Sequence, residues 1–118
     1  MTEDIFSNVD DNDFNWVVKC FYNSIHVAEK FRWALPFIIS RIGCGVEDSF
    51  CIFPDLNSFD PEMHFEGICF GFYDGEVTVS DKIGFEVTKD ACYRYIALYP
   101  KEKNEIMKYI NEIEKMGF

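Results

Sequence analysis

Apolar residues in the first third of the chain recur at helical spacing. Within residues 14–23, one helical face holds Phe14, Val17, Val18 and Phe21, and Asp13 is placed to cap the N-terminus of that helix. The Val and aromatic content of this run leaves a strand as the alternative. From Ser24 onward the i, i+3, i+4, i+7 spacing predicts a second helical stretch, carried by Val27, Phe31, Ala34, Leu35, Ile38, Ile39 and Ile42. Pro36 lies inside this stretch, so we expect it to kink the helix or divide it in two, and the glycines after Ile42 to end it.

The central part of the chain has the alternation and the turn residues of a small sheet. Residues 50–53 form a short apolar run, and the turn-rich segment that follows Pro54 predicts an exposed loop. Residues 64–72 and 76–80 are strand-like and flank Tyr73-Asp74-Gly75, in which Asp-Gly is a strong hairpin signal. Side chains alternate along a strand, which gives the first of these strands one large-residue face and one small-residue face. We expect the first face to meet the core and the second to allow a close approach; they hold Ile68, Phe70 and Phe72, and Gly67, Cys69 and Gly71, respectively.

Two more helices are predicted after the hairpin. Ser80 and Asp81 supply N-cap chemistry for a helix that continues to Leu98. Pro100 suits the first position of a last helix, which should run to about Met116 with an apolar stripe between charged faces. Together these elements predict an α+β fold: a small antiparallel sheet with a hairpin, packed by N-terminal helices and two C-terminal helices. We expect one domain, residues 1–118.

Composition supports a folded core and narrows the choice of partner. The chain has 118 residues, of which 48% are hydrophobic and 18% aromatic, so it can bury a sizeable core. Its 21 acidic residues against 11 basic ones give a net charge of −10, the wrong sign for gripping phosphate backbones or anionic lipid. We therefore expect no direct nucleic-acid binding and no membrane binding. The first residues are not a basic segment followed by an apolar run, which favours a cytoplasmic location.

The residues that could do chemistry lack a motif that would give them a mechanism. The chain has two histidines, His26 and His64, and neither lies in a metalloprotease, zinc or nucleophile-elbow motif. The five cysteines have no paired spacing, which predicts free thiols and no native disulfide. The segment from Asp55 matches a calcium loop at too few positions, with Asp60 where the loop needs Gly. We expect no metal, no cofactor and no enzymatic activity; an enzyme that assembles Cys and His in the fold is the weaker alternative.

Charge is strongly segregated along the chain. Between Arg41 and Lys82 there are nine acidic residues and no Lys or Arg, and aromatic residues are interleaved with the acids. A solvated face over core aromatics would give this pattern. A docking surface for a basic protein would also give it, because carboxylates steer the encounter while aromatics anchor it. For that second interpretation the candidate binding residues are Asp55, Asp60, Glu62, Tyr73, Asp74 and Glu76.

The second half of the chain has a distinctive set of residues: Phe65-Glu66-Gly67-Ile68, Phe70, Asp74, Val77 to Ser80, Ala91-Cys92, Tyr95 and Tyr99-Pro100. In this set the chain resembles immunity proteins of bacterial contact-dependent growth inhibition systems, the CdiI type that is paired with ribonuclease toxins. It implies a small cytoplasmic protein that binds a basic nuclease toxin domain of its own system and blocks the active site. An acidic adaptor, or a nucleic-acid mimic that inhibits another basic protein, remains the alternative. The sequence leaves open the toxin, its RNA substrate and the oligomeric state.

Overall fold

A four-stranded antiparallel sheet and four helices make up the fold, seen in a computed structural model that describes residues 4–7, 9–10 and 12–118. The strands follow one another as a meander in the order β1-β2-β3-β4. The elements are α1 (Trp16–Val27), α2 (Phe31–Ile39), β1 (Cys44–Val46), β2 (Ser49–Ile52), β3 (Ile68–Phe72), β4 (Gly75–Val79), α3 (Asp81–Leu98) and α4 (Lys103–Lys115). The predicted α+β class is confirmed, with two helices before the sheet and two after it.

The large-residue face of β3 packs against α1. The Phe70 ring lies 5.4 Å from the Phe21 ring and 6.2 Å from the Tyr22 ring, between centroids, and all three side chains are buried. On the opposite face the Phe50 ring lies across Gly71, where a Cβ atom would come within 2.1 Å of the ring. Both predictions for the two faces of this strand are therefore confirmed. The small residue makes room for a neighbouring side chain of the same sheet.

The predicted hairpin is present, with its turn one residue earlier than expected. Phe72 pairs with Gly75, so the turn residues are Tyr73 and Asp74, and Tyr73 takes the left-handed conformation at φ +53°. The strand before the turn begins at Ile68, not at His64. The sheet also contains β1, where the sequence predicted only the end of a helix.

The first helical region divides at residues 28–30, not at Pro36. The Glu29 N–H donates to His26 O and the Lys30 N–H donates to Ile25 O, which is a Schellman motif with Glu29 in the left-handed position at φ +59°. Pro36 lies within α2, which continues across it. It is exposed, so solvent can satisfy the carbonyl that its missing N–H leaves without a helical partner. The prediction of a break at Pro36 is wrong.

The predicted cap of the first helix is also wrong. α1 begins at Trp16, and Asn15 occupies the N-cap position. The Asp13 carboxylate accepts hydrogen bonds from Lys19 Nζ at 2.6 Å and from Asn15 N at 2.9 Å. These bonds lower the pKa of Asp13 and fix the chain just before the helix.

The helix after the hairpin begins as predicted. Ser80 Oγ accepts a hydrogen bond from Ile83 N at 3.2 Å, which caps α3. Gly84 in its second turn lets α3 approach β3 closely, since a Cβ atom there would lie 2.7 Å from Ile68 Cδ1. A 3₁₀ turn at Pro100–Glu102 leads into α4. The apolar stripe of α4 is buried, with Ile106, Ile110 and Ile113 in the core.

Candidate functional site

Five of the six candidate binding residues lie at the two ends of the sheet, and the sixth, Glu76, lies on β4. Asp55, Asp60 and Glu62 are in the loop between β2 and β3, whereas Tyr73 and Asp74 form the turn between β3 and β4. These connections leave opposite ends of β3, whose five residues rise by about 3.4 Å each, so roughly 14 Å of strand separates the two groups. The sequence-predicted set therefore does not form one patch.

The first group belongs to a surface that we call the loop surface. It consists of Asp55, Leu56, Phe59, Asp60 and Glu62. Its two aspartates stabilise the loop itself: Asp55 Oδ1 accepts from Asn57 N, and Asp60 Oδ1 accepts from Glu62 N, each at 3.0 Å. Leu56 and Phe59 are exposed, Phe59 completely. The loop surface thus presents exposed apolar side chains among carboxylates.

A histidine closes the base of this loop. His64 Nε2 donates to Ser58 O at 2.7 Å, and Asp55 N donates to Met63 O at 2.9 Å. His64, one of the two histidines considered for chemistry, therefore has a structural role in holding the loop. This role could not be read from the sequence because the hydrogen bond depends on the loop's path.

The second group lies beside another acidic turn. The Tyr73 N–H donates to Asp48 O at 2.8 Å, which joins the β3–β4 turn to the Glu47-Asp48 turn between β1 and β2. We call Glu47, Asp48, Tyr73 and Asp74 the turn cluster. All four are exposed, including 68% of Tyr73.

Glu76 stands apart from both groups, on β4. Its Oε1 accepts a hydrogen bond from Cys69 Sγ at 3.1 Å. Burial, followed by this carboxylate contact, raises the pKa of the Cys69 thiol to about 11. A thiol that remains protonated near neutral pH is a poor nucleophile, so the arrangement does not supply thiol catalysis.

An open groove of about 1100 Å³ lies beside the turn cluster. It is lined on the sheet side by β1 and residues of the turn cluster, and elsewhere by Asp4 and Phe6. Residues of α1 and the start of α2, with Lys30 and Trp33, complete the lining. Glu47, Asp48 and Tyr73 line it, whereas none of the loop-surface residues does. Sequence reasoning missed Trp33 as a candidate because its spacing placed it among helical residues without showing what it faces.

A smaller cavity of about 350 Å³ lies between α1, α2 and α3 and contains a polar network. His26 Nε2 and the Tyr99 hydroxyl are hydrogen-bonded at 3.0 Å, and the Tyr95 hydroxyl donates to Glu102 Oε1 at 3.0 Å. Arg32 forms ion pairs with Glu102 at 2.9 Å and with Glu105 at 3.2 Å. Burial and the hydrogen bond to Glu102 raise the pKa of Tyr95, which keeps its phenol protonated. These bonds tie the helices together and account for His26 as a structural residue.

Among the residues that the structure describes, no group of three or more His, Cys, Asp or Glu side chains is arranged to hold a metal ion. No helix within the same residues is long and apolar enough to cross a bilayer.

One family model and one solved structure are similar to this chain. A family model described as CDI immunity protein matches residues 14–110. The fold is similar to the crystal structure of an immunity protein from Neisseria meningitidis, with a TM-score of 0.74 at 14% sequence identity. That alignment covers 95% of this chain and 99% of the other. No curated protein sequence matches the chain.

Proposed function

Because this chain belongs to the CDI immunity protein family, we propose that it neutralises a nuclease toxin domain of its own system by covering the active site. Members of such a family act as toxin inhibitors, and an inhibitor needs a binding surface and no catalytic machinery. Following the resemblance found in the sequence, we propose a ribonuclease as the toxin and the cytoplasm as the place of action.

The charge distribution is the observation that supports a nuclease as the partner. An enzyme that holds RNA needs Lys and Arg side chains along the phosphate backbone, so its substrate face is positively charged. This chain carries a net charge of −10 and presents exposed acids on both the loop surface and the turn cluster. A complementary pair of surfaces associates quickly, and the inhibitor then excludes the RNA from the same face.

We propose that the toxin contacts come from the sequence-predicted residues, Asp55, Asp60, Glu62, Tyr73, Asp74 and Glu76. A standard interface buries about 800 Å² on each partner, or roughly a tenth of the 7267 Å² surface of this chain. Each end of the sheet could supply much of that area, so the two groups are separate test cases.

The test starts with purification of this chain together with the toxin domain encoded immediately upstream, followed by a nuclease assay with and without the chain. We expect a stable complex and loss of nuclease activity. A wild-type chain that neither binds nor inhibits that domain contradicts the proposal. Binding with full nuclease activity retained contradicts the part of the proposal that concerns the active site.

Two sets of charge-neutralising variants then identify the end that binds. One set is Asp55→Asn, Asp60→Asn and Glu62→Gln, in which the Asn side chains can still accept the hydrogen bonds that hold the loop. The other set is Asp74→Asn and Glu76→Gln. The set at the interface should slow association and flatten the dependence of affinity on salt. If neither set changes association by more than about threefold, the contacts proposed here are wrong.

A further inference from the structure

We propose that the groove beside the turn cluster is the main toxin contact and that it receives a basic, partly apolar segment of the toxin. This inference rests on the proposed function and selects one of the two ends of the sheet. It also adds contact residues that the sequence analysis did not consider, chiefly Trp33 and Val27. The reasons are the charge of the groove, its exposed apolar side chains and the way its walls are held.

The groove has more negative than positive side chains. Asp4, Glu47 and Asp48 line it, and Lys30 is the basic residue among its described lining. The Lys30 ammonium lies 5.4 Å from the centre of the Trp33 ring, so it is already associated with an aromatic face. Asp74 adds a further exposed carboxylate next to Tyr73 in the turn cluster. A segment with Arg or Lys side chains complements this lining, whereas an acidic segment is repelled.

Three exposed apolar side chains provide the anchoring area. Trp33 is 45% exposed, Val27 56% and Tyr73 68%, and all three line the groove. Trp and Tyr are favoured at binding hot spots because they bury a large area when a partner covers them. The exposed Tyr73 ring face also attracts guanidinium groups, so a basic segment gains from a residue that its apolar atoms cover.

The walls of the groove are held before any partner binds. Asn23 on α1 accepts a hydrogen bond from Phe6 N at 2.8 Å and donates one to Phe6 O at 3.0 Å. On the sheet side, the hydrogen bond from Tyr73 N to Asp48 O joins the β3–β4 turn to the β1–β2 turn. A binding site that is already ordered loses less conformational entropy on association.

The loop surface lacks this combination. Its most exposed aromatic, Phe59, lies in an exposed loop outside the groove lining, and the carboxylates of Asp55 and Asp60 are engaged by the loop's own backbone. The residues that carry binding energy in interfaces are those in well-packed, desolvated positions. The concave groove offers such positions from this chain's side, which is why we assign the main contact to it.

Two matched pairs of variants test the assignment, with the toxin domain encoded immediately upstream as the probe. The first pair consists of two double variants. One carries Glu47→Gln and Asp48→Asn, and its control carries Glu86→Gln and Glu114→Gln. Both double variants remove two exposed charges, but Glu86 and Glu114 are on α3 and α4, outside the groove. Net charge therefore changes equally, and a difference between the doubles reports position.

The second pair compares Trp33→Ala with Phe59→Ala, two exposed aromatic side chains of which Trp33 lines the groove and Phe59 belongs to the loop surface. Affinity is measured by surface plasmon resonance, and thermal unfolding confirms that each variant is folded. Trp33→Ala should weaken binding about thirtyfold, the size of a hot-spot loss, while Phe59→Ala stays within about threefold. At low salt, the variant with Glu47→Gln and Asp48→Asn should associate with the toxin about tenfold more slowly than the control variant with Glu86→Gln and Glu114→Gln.

The outcomes separate this inference from the proposed function. If wild type binds and inhibits but Phe59→Ala weakens binding and the groove variants do not, the inference is overturned while the proposed function stands. If both double variants slow association equally, position does not matter and the assignment to the groove is wrong. If sedimentation shows a dimer that Trp33→Ala converts to a monomer with unchanged toxin affinity, the groove's occupant is a second copy of this chain, which also overturns the inference.

Discussion

The buried hydroxyl pair of Tyr22 and Thr88 gives the sharpest test of the packing. Tyr22 on α1 and Thr88 on α3 are both fully buried, and their hydroxyl groups are hydrogen-bonded to each other. Thr88 Oγ1 also donates to Gly84 O at 2.8 Å. Since Thr88 has one hydroxyl proton and gives it to Gly84, Tyr22 must be the donor in the shared bond. Burial raises the pKa of the Tyr22 phenol well above its ordinary value, so this proton is retained.

The two single substitutions should differ in cost. Tyr22→Phe removes the donor and leaves Thr88 bonded to Gly84, for a loss of about 1 to 1.5 kcal/mol in the free energy of unfolding. Thr88→Val leaves the Tyr22 hydroxyl buried without an acceptor, which should cost about 2 to 3 kcal/mol. The double variant has no orphaned hydroxyl, so we expect about 1 to 2 kcal/mol, less than Thr88→Val alone.

Urea unfolding at pH 7, followed by circular dichroism, measures the free energy of unfolding of the wild type, the two single variants and the double variant. Tyr93→Phe, an exposed tyrosine on the same helix as Thr88, is the control and should change stability by less than about 0.5 kcal/mol. The loss of stability in the double variant could equal the sum of the two single losses to within about 0.5 kcal/mol. That result would show that the two hydroxyls do not interact, and the reasoning would be refuted.

Three further outcomes are expected. Burial raises the pKa of Cys92 to about 12, whereas the unfolded chain ionises this thiol near pH 9, so the resulting stability is complete below pH 9 and falls by about 1.4 kcal/mol per pH unit above it. Wild type should therefore lose more stability to urea between pH 8 and pH 10 than Cys92→Ala does, and an equal loss in the two proteins would contradict this. Gly67→Ala should cost more than about 3 kcal/mol because its Cβ would lie 2.1 Å from Val79 O at φ +94°, whereas Gly117→Ala, at φ +80° with open space, should cost about 1 kcal/mol in the same assay. Cys51→Ser should lower thermal stability by about 1 to 3 kcal/mol, since it places a hydroxyl at a fully buried position; an unchanged melting temperature would argue against that burial.

Sequence reasoning was most accurate where the signal was local. The N-cap of α3 depends on Ser80 and a backbone N–H three residues later, and both were visible as residue types. The faces of β3 follow from alternation, which any strand obeys. The break between α1 and α2 was missed because its left-handed residue is Glu29, where Gly is the usual signal.

The sequence pointed to only part of the candidate site. It proposed Asp74 and Tyr73 because they form a recognisable turn, and Tyr73 lines the same groove as Trp33. Trp33 carried no signal, since an exposed tryptophan and a buried one have the same spacing within a helix. The loop acids were grouped with the turn because they are close in sequence.

By itself, the sequence determined the fold class, the hairpin, the start of α3, the faces of β3 and the excess of acid in the middle of the chain. These features depend on side-chain periodicity, capping chemistry and charge, which act over a few residues or need no geometry at all. The tertiary structure alone decided which acids are neighbours. An antiparallel meander sends consecutive connections to opposite ends of the sheet, so the loop surface separates from the turn cluster, while the Glu47-Asp48 turn, far from Tyr73 in sequence, joins it through a backbone hydrogen bond.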